Sequence, residues 1–380
     1  MSDRIKVLQL ITGLDVGGAE TMMCRLMERI DRERFDCQVV SLRPRGALAP
    51  RLEAAGVPMS FLDIDSAKDV PGGIAKLAML VRRERPDVVQ TWMYHADFLG
   101  SLVGRLCGDQ RIVWNIQQSQ LCRETSKPVT RFLNRFLAGR SQQWPDRIIA
   151  CSKVAAELHA AQGYARDKMV WICNGAETDF YMPDAEAAAA LRRELGIPDG
   201  AQVIGMAGRY NPQKDYGNYF AAAGLLAERM PGVHFVACGA GATLEDEGFR
   251  VLAESAGLGE RFHALGVRSD MQAVYPAFTI AALSSAYGEG FPLTLGEAMA
   301  CGVPCAATDV GDSAEIIGGT GAIVAPRDSV ALADAWERLL KLPADEFALL
   351  KSEARMRVKD LFSLRECVRR YEGVYQELAA

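Results

Sequence analysis

The stretch Ser284–Asp312, SSAYGEGFPLTLGEAMACGVPCAATDVGD, decides how the rest of the chain is read. The apolar run Phe278–Leu283 before it predicts a buried strand. A glycine-flanked carboxylate follows, Gly288-Glu289-Gly290, then Phe291 and Pro292, and proline suits the first turn of a helix. Leu293–Ala300 reads as that helix and carries Glu297; after Cys301-Gly302 a second short strand is expected from Val303-Pro304. Strand, glycine turn, helix, strand is the local order of an α/β nucleotide site, where backbone N–H groups at a helix N-terminus face an anion. Glu289 and Glu297 stand about two helical turns apart, too far to share one proton. Each can instead accept a hydrogen bond from a different hydroxyl group of one elongated ligand. Either carboxylate alone would read as a solvated surface group; the glycines and Phe291-Pro292 between them favour the ligand.

A chain of 380 residues exceeds what one hydrophobic core usually organises and fits two domains. Its 49% hydrophobic and 24% charged residues are those of an ordinary globular protein. A net charge of −5 and a pI near 5.6 argue against broad nucleic-acid affinity, so no nucleic-acid partner is expected. The ten cysteines are scattered without a CxxC pair, and the four histidines are widely separated. No metal-ligand spacing results, so no metal is expected, and the thiols read as reduced and buried. The N-terminus, MSDRIKVLQLITG, becomes strand-like at once, with no signal-peptide core, and no stretch approaches the roughly 20 apolar residues that span a bilayer. A cytoplasmic location is expected, with the inner face of the cell membrane as a second placement.

Ile5–Ile11 predicts a buried parallel strand leading into Thr12–Glu20, TGLDVGGAE, and an amphipathic helix to about Ile30. This glycine-rich turn is neither a Walker A loop nor GxGxxG. Gly17 and Gly18 serve either a tight turn or the close approach of a ligand. Strands are expected at Cys37–Leu42, Met59–Ile64, Asp87–Thr91, Arg111–Asn115, Asp146–Cys151 and Val170–Cys173, with helices between them. Such alternation implies a parallel sheet with sites at the carboxyl ends of its strands. Two ends carry polar groups: Trp92–Asp97, ahead of a helix from about Ala96, and Asn115–Ser119 with Gln117 and Gln118. A lone histidine is more often structural than catalytic, and both readings of His95 stay open. From Arg123 to Arg140 the pairs Arg131/Arg135 and Phe132/Phe136 predict a helix with a basic face and an aromatic-aliphatic face. It is either a packed surface helix or an interfacial one for anionic lipid or a lipid-linked substrate.

The composition shift at Tyr181–Asp199 marks the domain junction. A second alternating series follows. Val203–Ala207 predicts a strand ending in Gly208–Asp215, GRYNPQKD, where Arg209 and Lys214 share one turn. Arginine offers paired donors to phosphate oxygens and lysine a point charge, so the position favours a diphosphate clamp over two solvated cations. Phe362-Ser363 starts a last amphipathic helix bearing Tyr371 and Tyr375.

Together these residues resemble the family 4 group of retaining glycosyltransferases (glycosyltransferase group 1). The resemblance spans nearly the whole chain. It rests on Glu-x7-Glu from Glu289 to Glu297 in EGFPLTLGE, continued by AMACGVP, with GGAE at Gly17–Glu20, NGAETDF at Asn174–Phe180, GRYNPQKD at Gly208–Asp215 and TDVGDSAEII at Thr308–Ile317. It implies the GT-B fold: an α/β protein of two Rossmann-like, doubly wound parallel-sheet domains facing an interdomain cleft. Residues 1–180 would form the acceptor domain and 181–362 the nucleotide-sugar donor domain, with 363–380 a helix crossing back to the first. Carried over by position, Arg209 and Lys214 would hold the donor diphosphate, Glu289 the sugar hydroxyls and Glu297 the ribose. The backbone of Gly290, Phe291, Pro292 and Leu293 would lie along sugar and phosphate, and Gly17 and Gly18 would approach the donor from the other domain.

The resemblance implies transfer of a hexose from a nucleoside diphosphate sugar, UDP favoured over GDP, to a saccharide or lipid-linked acceptor in cell-surface polysaccharide or glycan synthesis. Anomeric configuration would be retained, with no metal and no cofactor beyond the donor. Arg209, Lys214, Glu289 and His95 are the catalytic candidates. Many relatives carry a histidine where this chain has Gln117-Gln118, so the acceptor-side role falls to His95 or to Gln118. Peripheral contact with an anionic membrane through Arg123 to Arg140 is a further expectation. The competing readings are an epimerase or phosphorylase on the same fold, and a catalytically degenerate GT-B scaffold in polysaccharide assembly.

Overall fold

The computed structural model describes residues 4–108, 110–119 and 127–380. The chain forms two compact units: residues up to Asn174 with Arg365–Ala380, and Gly175–Leu364.

The first unit is built on seven parallel strands: β1 (Ile5–Ile11), β2 (Phe35–Ser41), β3 (Met59–Phe61), β4 (Val88–Trp92), β5 (Arg111–Ile116), β6 (Arg147–Ala150) and β7 (Met169–Trp171). They lie in the order β3-β2-β1-β4-β5-β6-β7. The second unit has six: β8 (Val203–Ala207), β9 (His234–Cys238), β10 (Phe262–Ala264), β11 (Ile280–Leu283), β12 (Cys305–Thr308) and β13 (Gly321–Val324), in the order β10-β9-β8-β11-β12-β13. All pairings are parallel, and helical crossovers join the strands. Central strands are buried on both faces, which is why VIGMA at β8 and VVQTW at β4 lack the alternation of a half-exposed strand. In both sheets the strand order reverses beside the first strand, between β1 and β4 and between β8 and β11. Ligands of open α/β sheets bind outside the carboxyl ends at such reversals.

Several element boundaries differ from expectation, three of them at candidate segments. The helix after β4 begins at Met93 rather than Ala96, so His95 lies in its first turn. Strand β12 begins at Cys305, not Val303. Val303 N–H instead closes the preceding helix by donating to the Ala298 carbonyl, and Pro304 has no N–H to give a ladder. The basic helix spans Pro128–Ala138, and residues 123–126 of the expected segment lie outside those described.

The last helix, Leu364–Ala379, packs almost wholly on the first unit. Its buried residues Cys367, Val368, Tyr371, Val374 and Tyr375 recur at helical spacing. Two of them also satisfy polar groups inside the sheet. Tyr375 hydroxyl donates to Gln90 (2.8 Å) and accepts from Gln9 Nε2 (3.0 Å), while Gln9 accepts from Trp92 Nε1 (2.8 Å). Tyr371 hydroxyl accepts from Asn115 Nδ2 (2.8 Å). Among the described residues no helix is long and apolar enough to cross a membrane.

Candidate functional site

At the β8/β11 reversal two turns are tied together. Ser284, directly after β11, donates its hydroxyl to the carbonyls of Lys214 (2.8 Å) and Asp215 (3.0 Å), and Ala286 N–H donates to the Gln213 carbonyl (2.8 Å). Lys214 Nζ therefore reaches Glu289 Oε1 at 2.7 Å, with the two side chains only 14% and 9% exposed. Ser285 hydroxyl donates to the same carboxylate oxygen at 2.6 Å. Arg209 stands exposed on the same turn as Lys214, and among the described residues it has no ion-pair partner. One ion-paired and one exposed cation thus share the turn after β8.

Two glycines permit this closeness. A Cβ at Gly239 would run into the Gly208 carbonyl at the start of the cationic turn. One at Gly311 (φ 61°) would collide with the carbonyls of Glu289 and Gly290. Asp312 N–H donates to that Gly290 carbonyl at 2.9 Å, so the segment after β12 clamps the Gly288–Gly290 turn.

Glu297 lies on the helix Leu293–Ala300, which Pro292 starts, and is 8% exposed. Tyr275 hydroxyl donates to its Oε2 at 3.1 Å. Burial, and then the Glu297 charge, push the Tyr275 hydroxyl well above its usual pKa, so it stays a donor. Phe291 is turned inward against Phe362, with ring centroids 5.6 Å apart.

In the first unit, Gly17 precedes the helix Gly18–Arg29 in extended conformation. A Cβ at Gly17 would meet the Glu20 carboxylate, whereas Gly18 has open space around its Cβ position. His95 is half-buried, and burial, then the charges of Arg43 and Lys127, hold its imidazole below the usual pKa, so it is neutral at pH 7. Met93, two residues earlier, holds φ 70°, which costs a non-glycine residue about 1–3 kcal/mol. Asp97 is fully buried; it accepts from the Thr91 hydroxyl (2.6 Å), and burial pushes its carboxyl up to about 7. Asn115 is committed to Tyr371, and Gln117 donates to Asn115 Oδ1 (2.8 Å), so this strand end is bound up in packing.

Sequence reasoning named Arg209, Lys214, Glu289 and Glu297, and the structure brings Lys214 and Glu289 into contact. It missed Ser284, Ser285 and Tyr275. The two serines had a signal, since they end a buried strand just ahead of the glycine turn. Tyr275 had none, because its partner lies a helix away.

Two family models match the chain: "Glycosyltransferase Family 4" over residues 16–180 and "Glycosyl transferases group 1" over residues 201–342. The chain belongs to the family 4, group 1 glycosyltransferases. Among curated relatives, this glycosyltransferase is 26% identical over 305 residues to the UDP-Gal:alpha-D-GlcNAc-diphosphoundecaprenol alpha-1,3-galactosyltransferase of Escherichia coli, covering 78% of this chain and 77% of that one. It is 32% identical over 197 residues to a D-inositol 3-phosphate glycosyltransferase of Segniliparus rotundus, half of this chain and 41% of that protein's length. Of solved structures, HepE of Anabaena in complex with UDP superposes with a TM-score of 0.85 at 20% identity, covering 98% of this chain and all of the other. The lipopolysaccharide outer core galactosyltransferase WaaB matches with a TM-score of 0.73 at 16% identity, over 98% and 100% of the two chains. The fold is GT-B.

Proposed function

We propose that this glycosyltransferase moves a hexose from a nucleoside diphosphate sugar, UDP-linked in the first instance, to a hydroxyl group of a saccharide or lipid-linked acceptor. The observation that carries the reading is the Lys214–Glu289–Ser285 cluster beside the open Arg209 at the β8/β11 reversal. The nucleotide in the HepE complex and the UDP-Gal donor of the Escherichia coli relative support uridine. That relative's diphosphoundecaprenol-linked acceptor supports a lipid-linked one. Residues 181–362 take the donor and residues 1–180 the acceptor.

Breaking the anomeric C–O bond leaves its electron pair on the nucleoside diphosphate. Arg209 and Lys214 stabilise that charge where it appears, which is electrostatic catalysis by preplaced groups. Lys214 has three N–H donors and can hold Glu289 while reaching a phosphate oxygen. Glu289 accepts from a sugar hydroxyl and Glu297 from the ribose, and the backbone of Gly290–Leu293 follows the sugar and phosphate. Neutral His95 orients the acceptor hydroxyl, and Gly17 and Gly18 form a ligand-facing turn. Configuration is retained, and the two cations do the work without a metal or further cofactor. The site acts at the inner face of the cell membrane, in cell-surface glycan synthesis, with the basic helix Pro128–Ala138 against anionic lipid.

The test incubates the protein with UDP-galactose or UDP-glucose and an N-acetylglucosaminyl diphosphopolyprenol, in excess EDTA. Transfer with the donor's anomeric configuration, read by proton NMR, is expected. Inversion, or activity that EDTA abolishes and Mg²⁺ restores, contradicts the mechanism; donor binding without transfer to any acceptor returns the scaffold reading.

A further inference from the structure

We infer that Ser285 is a positioning residue that makes Glu289 selective for one hydroxyl epimer of the transferred sugar. The inference rests on the donor reading above and adds what sets the sugar preference.

Glu289 is nearly buried, and both of its hydrogen bonds fall on one oxygen. Lys214 Nζ lies 2.7 Å and Ser285 Oγ 2.6 Å from Oε1. Among the described residues Oε2 takes no hydrogen bond, and an ionised carboxylate oxygen can only accept. The free oxygen therefore suits a hydroxyl donor, and its usefulness depends on the carboxylate holding one rotation.

The two anchors differ in what they can hold. Lys214 is a long, flexible cation that a diphosphate would draw toward itself. Ser285 has one short rotor and is fully buried at the end of β11. Its own carbonyl accepts from the Thr308 hydroxyl at 2.7 Å, which fixes it to β12. When donor binding divides Lys214 between two anions, Ser285 keeps Oε1 in place and Oε2 aimed. A carboxylate so fixed meets a sugar hydroxyl on one side of the ring and leaves the epimer's hydroxyl unmet. Sites built to hydrogen-bond a hydroxyl reject analogues that misplace it far more strongly than apolar pockets do.

The experiment is calorimetric titration of UDP, UDP-glucose and UDP-galactose, which differ at one hydroxyl, into wild type, Ser285→Ala, Glu289→Ala and the double variant. Wild type should prefer one epimer, and Ser285→Ala should reduce that preference by about tenfold, the scale of one hydrogen bond to a charged group. UDP affinity should change less than about twofold. In the Glu289→Ala background Ser285→Ala should change nothing further, since coupling between residues in contact is what a double-mutant cycle measures. An unchanged preference in Ser285→Ala overturns the inference. So does a loss of UDP affinity in step with the UDP-sugars, or additive effects of the two substitutions, either of which marks a merely structural serine. Wild type that binds UDP without preference for either epimer overturns it too. Wild type that fails to bind UDP is a different result, which removes the donor reading and this inference with it.

Discussion

Arg209 and Lys214 share a turn, but different interactions hold them. Arg209 is exposed, so Arg209→Ala should leave stability within about 0.5 kcal/mol of wild type. Lys214→Ala leaves the nearly buried Glu289 carboxylate with Ser285 as its remaining donor. Breaking a fully buried pair costs about 3–5 kcal/mol, and the residual exposure here lowers the expected loss to about 2 kcal/mol. Urea denaturation midpoints beside donor turnover separate the two, since turnover should fall in both; equal midpoints would show that the pair contributes nothing to the fold. Asp97 makes a second residue-scale prediction. Its carboxyl is raised to about 7 in the folded protein, so the folded state holds a proton that the unfolded chain releases near 4. Its contribution to stability is full below about pH 4 and is lost as pH rises to about 7. Asp97→Asn, which keeps an acceptor for Thr91, should therefore gain stability relative to wild type across that range. A wild-type-minus-variant difference that stays flat with pH contradicts this.

Among the elements, the helix Pro128–Ala138 shows where sequence reading reaches and where it stops. Its apolar residues were legible, but not which of them the core takes. Leu137 is buried and Phe136 packs on Phe98 and Trp144, whereas Val129 and Phe132 stand 61% and 68% exposed. Phe132 and Phe136 are four apart and read as one face; Phe136 sits against Trp144, and Phe132 is the outer ring, stacked on Phe136 with centroids 6.4 Å apart. Exposed apolar residues beside Arg131 and Arg135 suit a lipid surface. Phe132→Asp should abolish flotation with anionic vesicles while leaving the melting temperature unchanged, and unchanged flotation would remove membrane contact through this helix. The elements around the donor turns were easier to read. β8 and the helix Leu293–Ala300 follow from apolar runs closed by glycine or proline, and β11 from an apolar run closed by Ser284-Ser285. The helix start at Met93 was hidden, because its left-handed φ is a conformation that sequence gives no reason to expect in methionine. Tyr275 was hidden because a hydrogen bond to Glu297 depends on how two helices dock, which periodicity does not encode.

At the scale of the molecule, the last helix serves the first unit's sheet. Gln9 and Gln90 sit fully buried on β1 and β4; Trp92 of β4 meets the Gln9 oxygen, and Tyr375 meets the Gln9 amide and the Gln90 oxygen. Tyr375→Phe keeps the packing and strips that hydroxyl, so it should cost about 1–3 kcal/mol, the penalty for unsatisfied buried polar groups. Unchanged stability by denaturant titration would show that water replaces it. The tyrosines were legible as an amphipathic face, but the glutamines that Tyr375 serves were not legible as its partners, since 366 and 285 residues separate them. Every role proposed above requires a nucleoside diphosphate to bind at the β8/β11 reversal. The most direct measurement is calorimetric titration of UDP into wild type, Arg209→Ala and Glu297→Ala without added metal. Wild type should show one site, and each variant should bind at least about tenfold more weakly, the loss of one charge-assisted contact. No binding to wild type, or equal binding by all three proteins, would contradict binding at that reversal.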